Sequence, residues 1–158
     1  MKATKHGRTR NAGLIGGVLS ALARPGLTVG IIRLESTDKI VSESLSDDIM
    51  AIGGALHFQI EPFDLQESLF DDPDGQMTKL VTTVCARRTP LLFVLIDYGD
   101  DASIEAMTRL LPHVDDHRAE EDMTGVLIVT QRSIADMRRV LDGASGRTDC
   151  PYHVAVIE

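Results

Sequence analysis

Cysteine is scarce. Only Cys85 and Cys150 occur in 158 residues, one inside a helix-like run and the other beside a proline, too few and too irregular for a disulfide framework or a zinc site. Reduced thiols in the cytoplasm are the expectation. No apolar stretch approaches the roughly 20 residues that span a bilayer, and the basic segment from Met1 to Arg10 leads into no signal-peptide cleavage pattern. Positive charge is in the minority, 16 Lys and Arg against 24 Asp and Glu for a net charge of −8. Long-range repulsion therefore opposes non-specific binding of nucleic acid by the surface as a whole. Internal repeats and low-complexity tracts are also missing.

What is present is an ordinary globular composition, 43% apolar and 25% charged. A chain of this length buries roughly two-thirds of its unfolded surface around one core, so residues 1–158 are expected to form a single domain. Leu14, Ile15, Val18, Leu19 and Leu22 recur at helical spacing between Asn11 and Ala23, and Arg24-Pro25-Gly26 stops the run. Leu27 to Leu34 is a continuous, β-branched stretch of the kind buried on both faces of a sheet. A helical segment from Leu45 to Ile52 stops at Gly53-Gly54, and Leu56 to Ile60 alternates as a short strand. Residues 71–75, Asp-Asp-Pro-Asp-Gly, make the clearest exposed loop.

The helical period returns from Met77 to Arg88. Leu91 to Asp97 is the most hydrophobic run and reads as the central strand. Ile104 to Leu111 predicts a helix, Gly125 to Thr130 a strand, Ile134 to Leu141 a helix, and His153 to Ile157 a last strand. Helix and strand alternating in this way predict an α/β fold of three layers, a mostly parallel sheet flanked by helices, of the P-loop-NTPase-like or Rossmann-like class.

Ligands of such sheets bind beyond the carboxyl ends of the strands. Three of those ends are polar: Arg33 to Asp38, Asp97 to Asp101, and Thr130 to Ser133. Asp97 has two readings, a functional carboxylate to which Asp100 and Asp101 add negative charge that invites a cation, and a simple cap for a helix starting near Ser103. His113 and His117 have the i, i+4 spacing of metal ligands, but no third strong ligand follows at motif spacing, and Pro112 with the surrounding acids suggests a solvated helix end. Ser133 lacks the Gly-x-Ser-x-Gly elbow of a hydrolase.

A basic loop opening a helix, a strand some sixteen residues later, and a hydrophobic strand ending in Asp97 together resemble the ParA/MinD branch of the P-loop ATPases. That branch includes plasmid-partition, cell-division-site and conjugative-transfer accessory proteins. Its phosphate loop reads K-G-G-x-G-K-[ST], and Lys5-His6-Gly7-Arg8-Thr9-Arg10-Asn11 lies on it without a gap. The resemblance implies that Lys5, Gly7, Arg10 and Asn11 line a phosphate site for ATP with Mg2+. It further implies that Asp97 acts as the acid that polarises water or holds magnesium, and that a homodimer binds DNA or a membrane; a protein partner is expected as well.

The pattern is altered where the chemistry is most demanding. His6 and Thr9 stand where glycines let backbone amides turn around phosphate. Arg10 is a planar fork in place of a compact lysine charge, and Asn11 replaces the magnesium-holding hydroxyl. No strand-like residues precede Lys5, so the first strand of such a sheet is expected to be missing. The implied activity is a ParA/MinD-like role in DNA partition, plasmid maintenance or conjugative transfer with weakened or lost ATP hydrolysis. One alternative is a non-catalytic α/β protein-interaction module, in keeping with the broken loop, the low aromatic content and the acidity. Another is a response-regulator-like domain that uses Asp97.

Overall fold

The computed structural model describes residues 5–24, 26–35, 39–63, 90–97, 99–117, 123–145 and 152–157. The exposed loop expected at residues 71–75 and the helix expected from Met77 to Arg88 lie outside them. The chain runs α1 (Lys5–Leu22), β1 (Gly26–Leu34), α2 (Lys39–Ala55), β2 (Gln59–Phe63), β3 (Leu91–Ile96), α3 (Asp101–His117), β4 (Met123–Thr130), α4 (Ile134–Ser145) and β5 (Tyr152–Ile157). The five strands form one sheet in the order β2-β3-β4-β1-β5, and every neighbouring pair is parallel.

Parallel strands need crossover connections, and those connections cover both faces of the sheet. On one face, Ile15, Val18, Leu19 and Leu22 of α1 and Leu45 and Ile49 of α2 cluster with Ile32, Leu34, Leu92, Leu127, Ala155 and Ile157. On the other, Met107, Leu110, Leu111 and Val114 of α3 and Met137 and Leu141 of α4 cluster with Val29, Ile31, Phe93, Leu95, Val126 and Ile128. Consecutive strand residues thus feed opposite cores, which is why β1, β3 and β4 read as continuous apolar runs.

Two expectations are corrected. The sheet lacks no inner strand, because β1 itself sits inside, paired to β4 on one side and β5 on the other. The middle position belongs to β4, with β3 one place removed. Both strands have partners on both sides, so the hydrophobicity of β3 reports enclosure and not rank.

Small residues let α1 lie close to the sheet. A Cβ at Gly30 would come 2.7 Å from Val18 Cγ1 and 3.2 Å from Leu22 Cδ1, and one at Gly125 would come 3.2 Å from Leu22 Cβ. The contact partners move from Gly125 toward Gly30 as α1 runs back from Leu22 to Val18, so α1 is antiparallel to β1. Its amino-terminal turns therefore head toward the carboxyl edge of the sheet.

Helix α2 does not stop at Gly53-Gly54 but continues to Ala55. Its end is made by His57 N–H donating to Gly54 O (3.0 Å) and Phe58 N–H donating to Gly53 O (3.0 Å), the pairing of a Schellman motif. Its left-handed position is filled by His57 at φ 65°, where glycine is the usual occupant, and β2 accordingly begins at Gln59. Pro112 does not end α3, which runs on to His117.

Two stability changes follow. His57→Gly removes the left-handed penalty and is expected to raise the unfolding free energy by about 1 kcal/mol. Gly30→Val, which drives methyl groups into the stiff Val18 side chain, is expected to lower it by about 2 kcal/mol. Urea denaturation read by circular dichroism measures both.

Candidate functional site at the carboxyl edge

Strands β1 and β4 are neighbours, yet β1 leads to α2 on one face and β4 leads to α4 on the other. Adjacent strand ends that diverge in this way open a crevice, the usual ligand position in a parallel sheet. The end of β3, with Asp97, lies beside β4.

Asp97 is the centre of this edge. Its N–H donates to Val129 O at 2.9 Å, prolonging the pairing of β3 with β4. Its carboxylate has no solvent exposure and accepts three hydrogen bonds. Oδ1 takes the Gly99 N–H at 2.9 Å, while Oδ2 takes the Thr130 hydroxyl at 2.7 Å and the Arg132 Nε–H at 2.7 Å. Gly99 reaches its position with φ 83°, a conformation that L side chains resist.

Arg132 is fixed at two further points. Its Nη2 donates to Asp100 O at 2.7 Å, and its own N–H donates to Thr130 Oγ1 at 3.0 Å. The guanidinium thereby spans the ends of β3 and β4 and the start of α3. Burial of a carboxylate is costly unless a counter-charge and hydrogen bonds offset it, and here both are present.

The chemical consequence is that Asp97 is occupied. Both lone-pair directions of Oδ2 are used by internal donors, and the positive charge beside it is a guanidinium. Among the described residues, no group of three or more His, Cys, Asp or Glu side chains could hold a metal ion. The capping role considered for Asp97 belongs to Asp100, whose Oδ1 accepts the Ser103 N–H at 2.9 Å at the start of α3. Ser133 is likewise used as a cap, its Oγ accepting the Asp136 N–H at 3.2 Å at the start of α4.

Lys5, Gly7, Arg10 and Asn11 belong to the first turns of α1, so the tight phosphate-cradling loop expected from Lys5 to Asn11 is not formed. The amides of Arg10 and Asn11, beyond the first turn, are committed to carbonyls four residues back. α1 packs over β5, β1 and β4, with β4 lying between β1 and β3. The phosphate contacts expected of Lys5, Gly7 and Arg10 fall on side chains that lie outside the described ones.

Sequence reasoning marked the right strand ends but missed the partnership of Asp97 with Arg132. The available signal was a polar residue followed by a cation after β4, one strand over from a carboxylate after β3.

Arg33, near the end of β1, makes a loose pair with Glu35 at 3.4 Å. Both side chains are about a third exposed or more, a setting in which ion pairs contribute little. Arg33 Nε is buried without an acceptor among the described residues.

If Asp97 and Arg132 form a structural clasp, breaking it costs stability. Arg132→Ala is expected to lower the unfolding free energy by about 3 kcal/mol, because it leaves a buried carboxylate short of its counter-charge. The Asp97→Ala/Arg132→Ala double variant should lose less than the sum of the single losses, with a coupling of at least about 1 kcal/mol in a denaturation cycle. Independent losses would show that the two groups do not act as a unit.

No family model matches the sequence, and no curated protein matches it. Solved structures do resemble it. One is a structure of Drosophila ORC bound to AT-rich DNA and Cdc6, with a TM-score of 0.70 and 6% identity over 97% of this chain and 29% of that one. Another is Rif2 in complex with the C-terminal domain of Rap1, with a TM-score of 0.58 and 9% identity over 96% of this chain and 57% of that one. The chain thus spans only part of the length of each. At these identities the likeness is one of fold, and it agrees with a five-stranded parallel α/β sheet covered by helices on both faces.

Proposed function

We propose that this chain is a non-catalytic α/β interaction module built on a sheet of the nucleotide-binding type. The observation that carries this reading is the closed hydrogen-bond set of Asp97. A carboxylate that is to order a water, hold magnesium or accept a phosphoryl group needs an oxygen open to the reactant. The Asp97 carboxylate is enclosed and faces Thr130, Arg132 and Gly99. The same enclosure counts against a response-regulator-like use of Asp97. The two structural neighbours are parts of complexes, ORC with AT-rich DNA and Cdc6 and Rif2 with the C-terminal domain of Rap1, and this supports a binding role without assigning a partner.

A ParA/MinD-like role in DNA partition or conjugative transfer is the second reading, favoured by the crevice between β1 and β4. In that reading a homodimer engages DNA, and ATP with Mg2+ occupies the crevice near Glu35 in place of the Lys5 to Asn11 segment.

Calorimetric titration with ATP and Mg2+ separates the two readings. The expected result is no binding heat, and no change in elution volume on size-exclusion chromatography when nucleotide is added. Saturable ATP binding, or hydrolysis abolished by Asp97→Asn, would overturn the interaction-module reading.

A further inference from the structure

The two edges of the sheet differ. β2, at one edge, carries Glu61 and Pro62 within Gln59–Phe63. A charge and a residue without an N–H discourage a further strand from adding. β5, at the other edge, reads Tyr-His-Val-Ala-Val-Ile, without a proline, a lysine or an acid. Its register with β1 is unbroken from Tyr152 to Ile157, so no bulge turns the edge away.

The backbone of β5 has a definite phase. The Glu35 N–H donates to Ile157 O at 3.0 Å, so the polar backbone groups of Ile157 face β1. These groups alternate in direction along a parallel strand. Those of Val154 and Val156 therefore face outward, where no strand pairs with them among the described residues. Side chains alternate as well. Ala155 and Ile157 belong to the apolar cluster under α1, whereas Val154 and Val156 lie on the opposite face and are each 38% exposed.

This pattern is self-complementary. A twofold axis through Ala155, perpendicular to the sheet, sets Val154 of one chain opposite Val156 of a second copy, and the reverse. Both residues present outward N–H and C=O groups, so each pair exchanges backbone hydrogen bonds in both directions. The paired valine side chains share one face and cover each other. The same axis keeps the two α1 helices on one side of the joined sheet. There a cavity of about 380 Å³ lies between α1 and β5, lined in part by Gly13, Gly17, His153 and Val154. A Cβ at Gly13 or Gly17 would meet nothing within 4 Å, so the helix flank leaves room for the second subunit.

Charge complementarity selects a second copy as the occupant. Exposed Arg24, 3.4 Å from His153, marks the amino end of β5. Exposed Glu35, beside Ile157, marks its carboxyl end and is held only loosely by Arg33 at 3.4 Å. Antiparallel pairing brings the amino end of one β5 to the carboxyl end of the other, so each Arg24 arrives at the end that carries the other chain's Glu35. Symmetry makes the match twice. The net charge of −8 repels two copies at long range, and this local match works against that repulsion.

We propose that the chain forms a twofold dimer through β5, with Val154 of each copy paired to Val156 of the other and the two five-stranded sheets joined into one. The interface goes beyond the interaction-module reading and needs no nucleotide.

Sedimentation equilibrium of the whole chain without nucleotide tests it. The unmodified chain is expected to dimerise with a Kd of about 10 μM, and rising concentration should protect the Val154 and Val156 amides from hydrogen exchange. Val154→Pro removes an outward N–H without touching a bond to β1 and should weaken association at least about tenfold. Arg24→Glu and Glu35→Lys should each weaken it about threefold or more. An equimolar mixture of those two variants restores opposite charges at both ends of the seam, and it should associate about as tightly as the unmodified chain.

A chain that stays monomeric up to about 0.5 mM, a dimer that Val154→Pro leaves intact, or a mixture no tighter than its two components would each overturn the interface. So would protection of the same amides by an added threonine-valine hexapeptide in a chain that does not self-associate, which would assign the edge to a foreign strand. Titration with ATP decides the interaction-module reading separately, because this assembly proceeds without nucleotide.

Discussion

All five strands point the same way, and the rest of the architecture follows from that constraint. A parallel neighbour cannot be reached by a tight turn, so each link between strands must cross back over the sheet. The crossings place α2 on one face, where α1 from ahead of β1 joins it, and α3 and α4 on the other, each face with its own apolar cluster. They also collect every carboxyl strand end at one edge. Asp97, Thr130 and Arg132 are close because the neighbouring strands β3 and β4 end side by side there, although Asp97 and Arg132 are 35 residues apart in sequence.

The same geometry explains what the sequence disclosed. Residues buried on both sides of a sheet produce apolar runs that need no alignment to recognise, and β1, β3 and β4 fell where the runs of Leu27 to Leu34, Leu91 to Asp97 and Gly125 to Thr130 placed them. Helices were found by their apolar spacing, but their ends were misjudged where the stop depended on cap geometry. Gly53-Gly54 looked like a terminus, yet the turn was completed three residues later by His57. Pro112 looked like a boundary, yet α3 runs through it.

The site was legible as a location and not as a chemistry. Polar residues after strands β1, β3 and β4 marked the edge correctly. Whether Asp97 is free to react depends on Thr130 and Arg132, and a residue count contains no information about which side chain will turn toward which. A short basic segment before a helix likewise suggested a phosphate loop, but the helix begins at Lys5 and absorbs the segment. Local composition resembled a motif whose backbone conformation the chain does not adopt. The pairing of a buried acid with an arginine replaces an open carboxylate by a closed one while leaving the strand signature unchanged.

The inner position of β1 also constrains how the chain acquires its structure. β1 is made early, but both of its neighbours, β4 and β5, come from the far part of the sequence, with Val29 opposite Val126 on one side and Tyr152 on the other. Loops of this length must close before either ladder forms, and such non-local pairing slows folding. During synthesis β1 therefore has only its contacts with the neighbouring helices until β4 emerges. A chain interrupted before Met123 leaves this largely buried, β-branched strand without a partner on either side, in a state suited to capture by a chaperone or to aggregation.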